Sequence, residues 1–176
     1  MKILGVSGSL RAESYNTALL REAAKLAPAG AEVELWEGIG DLPIYDQDLE
    51  TDVPESVRRL REDWGSADAI LFATPEYNGS VPGGLKNAVD WASRPKGEAP
   101  LLNQTVAVVG ASQGQFGALW AQQDLRRILG IAGARVVGEP VPVSRAHAGF
   151  DEAVYEGLRE TLEALALVAE PAEAAA

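Results

Sequence analysis

Three polar segments of this chain carry residue types able to hold a small anionic or aromatic ligand. The first runs Ser7-Gly8-Ser9-Leu10-Arg11-Ala12-Glu13-Ser14-Tyr15-Asn16-Thr17. Ser7, Ser9, Ser14, Asn16 and Thr17 supply short donors, Gly8 admits close backbone approach, and Arg11 adds a fixed charge. A helix follows, and its N-terminus offers unpaired N–H groups and a positive dipole end, which is the chemistry of a phosphate site. Ser14 or Asn16 could equally serve only to cap that helix. The second segment, Pro75-Glu76-Tyr77-Asn78-Gly79-Ser80-Val81-Pro82-Gly83-Gly84-Leu85-Lys86-Asn87, combines restraint with an approachable backbone. This suits holding a flat ring by peptide groups, and it also suits a structural turn. The third, Ala111-Ser112-Gln113-Gly114-Gln115-Phe116-Gly117, is a loop of mostly small residues.

Other chemistries are excluded by what the chain lacks. It has no cysteine and a single histidine, His147, so thiolate metal sites, iron–sulfur ligation, disulfides and a cysteine nucleophile are out, and no metal site is expected. The first loop has no Gly-x-Gly-x-x-Gly pattern, although Glu34 stands near where a ribose-binding acid would be sought, and it has no Gly-x-x-x-x-Gly-Lys-Ser/Thr. His147 and Arg145 sit in a polar loop, where solvent exposure is the simplest reading of both.

The elements that must position these loops alternate. Lys2–Ser7, 31–36, Ala69–Ala73, Thr105–Gly110 and Gly133–Gly138 read as strands; the first is an apolar run without clean alternation, as in a parallel strand buried on both faces, whereas 31–36 alternates Val33 and Leu35 with glutamates and suits a sheet edge. Helices between them bury Leu19 and Ala23, then Val57, Leu60 and Trp64, then Leu85, Ala88, Val89 and Ala92, then Ala121, Leu125 and Leu129. A last helix carries Val154, Leu158, Leu162 and Leu165. The segment from Gly38 to Thr51 keeps no period and is expected to be a long loop over a site. Strand–helix alternation predicts an α/β fold: a doubly wound, five-stranded parallel sheet of order 2-1-3-4-5 with helices on both faces. In that order the loops after strands 1, 3 and 4 form the ligand crevice, and these are the three polar segments.

A length of 176 residues and a hydrophobic fraction of 47% suit one domain, expected over 1–169, with 170–176 as a frayed tail. The net charge of −11, from 26 acidic and 15 basic residues, is opposite to that of a nucleic-acid binder. No membrane segment or signal sequence is legible, so a cytoplasmic location is expected.

The segments GSLRAESYN, PEYNGSVPGGLKNAVDW and GASQGQFGALWAQQDLRRIL, in this order and spacing, resemble the NADPH-dependent FMN reductase family, which includes quinone, azo-dye and chromate reductases. The likeness runs from about Lys2 to Gly138. It implies a flavodoxin-like homodimer, tetrameric in some relatives, that holds FMN non-covalently and takes electrons from NADPH or NADH to a small-molecule acceptor. By that similarity Ser9, Arg11, Asn16 and Thr17, with Ser14, hold the FMN phosphate. Pro75, Glu76, Tyr77 and Asn78 line the isoalloxazine and ribityl chain, and Ser112 and Gln113 approach from the third loop. The Leu42-Pro43-Ile44-Tyr45-Asp46 loop borders the neighbouring subunit's site. Flavin carries the hydride chemistry, so no protein nucleophile or base is required, and loop N–H groups near its N1/O2 edge would stabilise the anionic reduced form. The chain departs from the family where Gly-Gly-x-Arg-Ala is common: here it reads Gly117-Ala118-Leu119-Trp120-Ala121. A flavodoxin-like electron carrier without nicotinamide activity is the competing reading. A receiver-like domain is a poorer one, because the third strand ends in Ala73-Thr74-Pro75 without a phospho-accepting aspartate.

Overall fold

In the computed structural model, which describes residues 1–169, successive side chains of the central strands point to opposite faces, and helices cover both. The expected frayed tail, 170–176, lies outside the described residues. The strands are β1 (Lys2–Ser7), β2 (Glu32–Trp36), β3 (Ala69–Ala73), β4 (Thr105–Ala111), β5 (Arg135–Val136) and β6 (Val141–Val143). The helices are α1 (Tyr15–Lys25), α2 (Glu55–Gly65), α3 (Gly83–Ala92), α4 (Leu119–Ile131) and α5 (Glu152–Ala169). All strand pairs are parallel, in the order β2-β1-β3-β4-β5, with β6 also paired to β4.

Leu4, Val6, Ile70, Phe72, Val106 and Val108 point to the face covered by α2, α3 and α4. Trp64 is fully buried there, edge-on to Trp36 at 5.6 Å and to Phe72 at 5.2 Å between ring centroids. The opposite face presents Ile3, Ala69, Leu71, Ala73, Ala107, Val109 and Ala111 to α1 and α5. Small residues dominate that side of the central strands, so the two helices there pack close to the sheet.

The order 2-1-3-4-5 agrees with the sequence reading, but the fifth strand does not run through 133–138 as expected. It pairs with β4 at Arg135 and Val136, breaks, and resumes as β6 beside Val109–Ala111. Gly138, at φ 64°, and Pro140 explain the break, since one turns the chain and the other has no N–H to donate. Polar side chains from α4 satisfy the exposed peptide groups. Arg126 donates Nη1 to Val137 O at 3.1 Å and Nη2 to Gly138 O at 2.7 Å. Gln122 is fully buried; its Oε1 accepts from Val141 N at 2.9 Å and its Nε2 donates to Gly117 O at 3.1 Å.

Gln122→Met keeps the side-chain length but strands the Val141 N–H in a buried site. The expected outcome is a loss of about 2 kcal/mol in unfolding free energy with an unchanged slope in urea denaturation. A loss below about 0.5 kcal/mol, the range of an ordinary surface substitution, would mean that Gln122 does not hold the break.

Candidate functional site

Ser7, Ala73 and Val109 stand in register across the sheet, so β1, β3 and β4 release their chains at one level. The ladder continues a step into the loops. Gly8 N donates to Ala73 O at 2.8 Å, Thr74 N to Val109 O at 2.9 Å, and Ser112 N to Val143 O at 3.0 Å. At Gly8 the first loop lies directly on the second, for a Cβ there would come within 2.7 Å of Leu85 Cδ2 and 3.2 Å of Pro75 Cδ. The three polar segments therefore meet at the carboxyl edge, where open α/β sheets bind ligands.

Two hollows adjoin there. One, of about 190 Å³, is lined by Ser9, Arg11, Ser14, Asn16, Pro75, Glu76, Tyr77, Ser112 and Gln113, together with Tyr15 and Ala111. The other, of about 290 Å³, shares Ser9 and Arg11 and adds Ser7, Thr17, Arg21 and the Glu37–Ile39 turn. Together they fall within the roughly 300–1,000 Å³ usual for small-ligand sites. Asn78 lines neither; it is exposed and left-handed, φ 53°, at the tip of the second loop. Larger hollows of about 620 Å³ between the ends of α3 and α4, and 500 Å³ between β6 and α5, collect no residue from Ser7–Thr17 or Pro75–Gly84. The polar groups of the three loops converge at the carboxyl edge and not on the larger hollows.

The side chains of the first loop divide their work. Ser14 caps α1, its Oγ accepting from Thr17 N at 3.2 Å. Asn16 is buried and bonds both ways to one residue, Nδ2 to Ala111 O at 3.0 Å and Ala111 N to its Oδ1 at 2.9 Å. Thr17 donates its hydroxyl to Ser7 Oγ at 2.9 Å. The hydroxyls of Ser9 and Ser112 and the N–H groups of Tyr15 and Asn16 donate to no acceptor among the described residues. Arg11 lies over the Tyr15 ring, 5.3 Å from its centroid, and donates to Glu13 O. Tyr15, in turn, accepts from Gln113 Nε2 at 3.3 Å. Sequence reasoning passed over Tyr15, though an aromatic opening a helix behind a polar loop is the signal that could have found it.

The second loop is fastened to α4. Tyr77 and Ser80 close a turn through paired backbone bonds of 3.2 and 3.1 Å. Ser80 Oγ donates to Asp124 Oδ2 at 2.7 Å, and Glu76 Oε2 accepts from Ala121 N at 3.1 Å. α4 starts without a side-chain cap of its own, so Glu76 supplies one from the neighbouring loop.

The segment from Gly38 to Thr51 contains two short 3-10 turns, and only its beginning reaches the hollows. The rest is tied to α3. Asn87 Oδ1 accepts from Tyr45 N at 2.7 Å, while Asn87 Nδ2 and Trp91 Nε1 both donate to Pro43 O at 2.9 Å. Trp91 is fully buried and packs on Tyr45, 4.9 Å between centroids. The Glu50 carboxylate, accepting the Tyr45 hydroxyl at 2.5 Å, pushes that phenol above its ordinary range, and burial adds to the effect. Ile44 is left projecting from this fastened loop, 80% exposed.

A family model described as NADPH-dependent FMN reductase matches residues 1–148. An NAD(P)H-dependent FMN reductase of Pseudomonas aeruginosa is 44% identical over 176 residues, covering 95% of this chain and 94% of the relative. A quinone reductase of Escherichia coli is 40% identical over 142 residues, covering 80% of this chain and 75% of its own. Among solved structures, the flavoenzyme NAD(P)H:(acceptor) oxidoreductase FerB from Paracoccus denitrificans superposes with a TM-score of 0.85 at 38% identity, covering 96% of this chain and 97% of that one.

The Glu76 cap is testable apart from any ligand. Glu76→Ala is expected to lower stability by about 1 kcal/mol and to speed hydrogen exchange at the Ala121 amide, while Glu76→Gln, which keeps an acceptor, retains most of both. Equal exchange at Ala121 in all three proteins would disprove the cap.

Proposed function

Because this chain belongs to the NADPH-dependent FMN reductase family, we propose that the two adjoining hollows at its carboxyl edge hold FMN and that it reduces flavins and quinones at the expense of NAD(P)H. It is an oxidoreductase, and the overall balance is that NAD(P)H, one proton and a quinone become NAD(P)⁺ and the hydroquinone. The observation that carries the placement of the cofactor is the donor set where the three loops meet. Ser9, Arg11, Tyr15 and Asn16 line one hollow, and they bring a hydroxyl, a guanidinium and the N–H groups at the positive end of α1 to it, in a chain whose net charge of −11 would otherwise repel an anion.

FMN fits this set. Its phosphate would lie with Ser9, Arg11 and the first turn of α1, where Ser14, Asn16 and Thr17 hold the backbone in place more than they reach out themselves. Its ring system would be bordered by Pro75, Glu76 and Tyr77 on one side, with Asn78 beyond them at the tip of the loop, and by Ser112 and Gln113 on the other. The chemistry that FMN supplies when bound is two-electron hydride exchange. The protein's part is to position: Glu76 and Ser80 fix the ring-bordering loop on α4, and the Asn16–Ala111 bonds fix the phosphate loop to the end of β4. With one ring face left accessible, nicotinamide and acceptor would use the same place in turn, and ping-pong kinetics are the expectation.

The same reading includes a cytoplasmic homodimer. The NAD(P)H supply supports the first part, and the apolar Ile44, exposed on a loop held rigid by Asn87 and Trp91, supports the second.

The deciding experiment is an absorption spectrum of the purified protein followed by anaerobic mixing with NADH and NADPH. Bound flavin that bleaches rapidly, with parallel initial-rate lines in steady state, is the expected result. Bound flavin that fails to bleach would make the protein an electron carrier, and a protein that takes up no FMN would overturn the site. Arg11→Ala is expected to weaken FMN binding by roughly tenfold or more, the worth of a charge-assisted hydrogen bond, as read by flavin fluorescence quenching.

A further inference from the structure

Among the described residues, the exposed aromatic side chains are Tyr77, Phe116 and Trp120, 53%, 48% and 47% accessible, and all belong to the rim at the carboxyl edge of the sheet. The remaining aromatics are buried or half-buried. Phe116 and Trp120 lie side by side, 4.7 Å between ring centroids and tilted by 37°. A half-exposed Trp–Phe pair leaves a large apolar area in water, which a soluble surface keeps only where something covers it.

The pair is held by its backbone. Gly117 follows Phe116 at φ 58°, pressed so closely on β6 that a Cβ would stand 2.6 Å from Val143 N. Ala118 is left-handed at φ 60°, and Leu119 N donates to Phe116 O at 3.0 Å. Trp120 then opens α4 with its ring edge 4.0 Å from where a Cβ on Gly79 would be, against the tip of the ring-bordering loop. The next residue, Ala121, is the one whose N–H meets Glu76, itself a lining residue of the hollow. A turn fixed in its backbone thus places two aromatic rings beside the same loop that borders the ligand hollow.

We infer that Phe116 and Trp120 form a stacking platform for the planar ring of a quinone acceptor, at the mouth of the flavin site. The inference rests on the placement of FMN given above and names what recognises the acceptor there. A flat, neutral, aromatic acceptor gains stacking and apolar contact from the pair, whereas a compact inorganic anion gains neither and meets a chain of net charge −11. The platform adds no chemical step; the two electrons and two protons taken up by the quinone are the hydride equivalent and the proton of the overall reaction.

The test uses the FMN-loaded enzyme with saturating NADPH and two acceptors, a naphthoquinone and ferricyanide, in wild type, Phe116→Ala, Trp120→Ala and Trp120→Phe. Each alanine variant is expected to raise KM for the naphthoquinone by roughly two- to tenfold with little change in kcat, so that the naphthoquinone-to-ferricyanide ratio of kcat/KM falls by that factor. Trp120→Phe should recover most of the ratio. An unchanged ratio overturns the platform, as does a loss shared equally by both acceptors, whether or not the sedimentation coefficient changes with it. A fall in the rate of anaerobic bleaching by NADPH that accounts for the whole effect would assign the pair to the nicotinamide and overturn it too. A wild-type protein that binds no FMN fails differently, removing the site itself, whereas a flavin-loaded enzyme with an unchanged ratio removes only the platform.

Discussion

The Asn16 side chain, bonded in both directions to the peptide of Ala111, is the interaction on which the rest of the site depends. β1 and β4 are not neighbours; β3 lies between them, so the loops that leave their ends can be coupled only by something that passes over the end of β3. A buried amide that both donates and accepts does this with a defined geometry, and it leaves the first two N–H groups of α1 facing the crevice. Ser7, Ala73 and Val109 in one row supply the level, and Gly8 lets the first loop rest on Pro75 and Leu85. Remove the amide and the three loops remain neighbours without being aligned.

The same device recurs outward from this centre. Two further loops are tied by side chains to helices that are not their own. Glu76 and Ser80 of the second loop bind α4, and Pro43 and Tyr45 of the long connector are bound by Asn87 and Trp91 of α3. Loops ordinarily sit at the low end of local stability, and hydrogen bonds to a packed helix raise them towards the stability of the core. Rigid loops around an exposed ring system suit an enzyme whose own residues position and do not react. That division of labour agrees with a chain lacking cysteine and holding one histidine.

How much of this could be read in advance depended on whether the signal was local. The strands β1, β3 and β4 and the buried faces of α2 and α3 were legible because their apolar residues follow the period of the element, and strand order followed from alternation and length. The split of the fifth strand was not, since it is decided by how Gly138 and Pro140 meet Arg126 and Gln122, residues that read as an ordinary helix surface until the fold brings them together. The site shows the same boundary. That Ser9, Arg11, Pro75 and Gln113 would face one hollow was inferable from topology, because all lie in loops after strands 1, 3 and 4. What each side chain does there was not. Ser14 turned out to be the helix cap considered as its simpler role, and the Asn16 side chain is spent on Ala111, a partner 95 residues away that no local pattern could indicate.

The turn before α4 shows why the tie to Glu76 is needed energetically as well as geometrically. Ala118 is a buried, non-glycine residue in the left-handed region, which costs about 1 kcal/mol or more, and it leaves α4 starting without a cap. Both costs fall at one point, so a turn this tight would relax unless something at that point offset them. The Glu76 carboxylate accepts an orphan N–H at the positive end of α4, the Gln122 side chain holds the Gly117 carbonyl, and the backbone of β6 closes against Gly117 too tightly for any side chain there. These contacts come from three different segments, so the strained turn is supported from outside itself. The conformation that carries Phe116 and Trp120 to the rim is therefore a product of the folded site: Glu76 offsets part of its cost from one side, and the backbone of β6, packed against Gly117, confines it from the other.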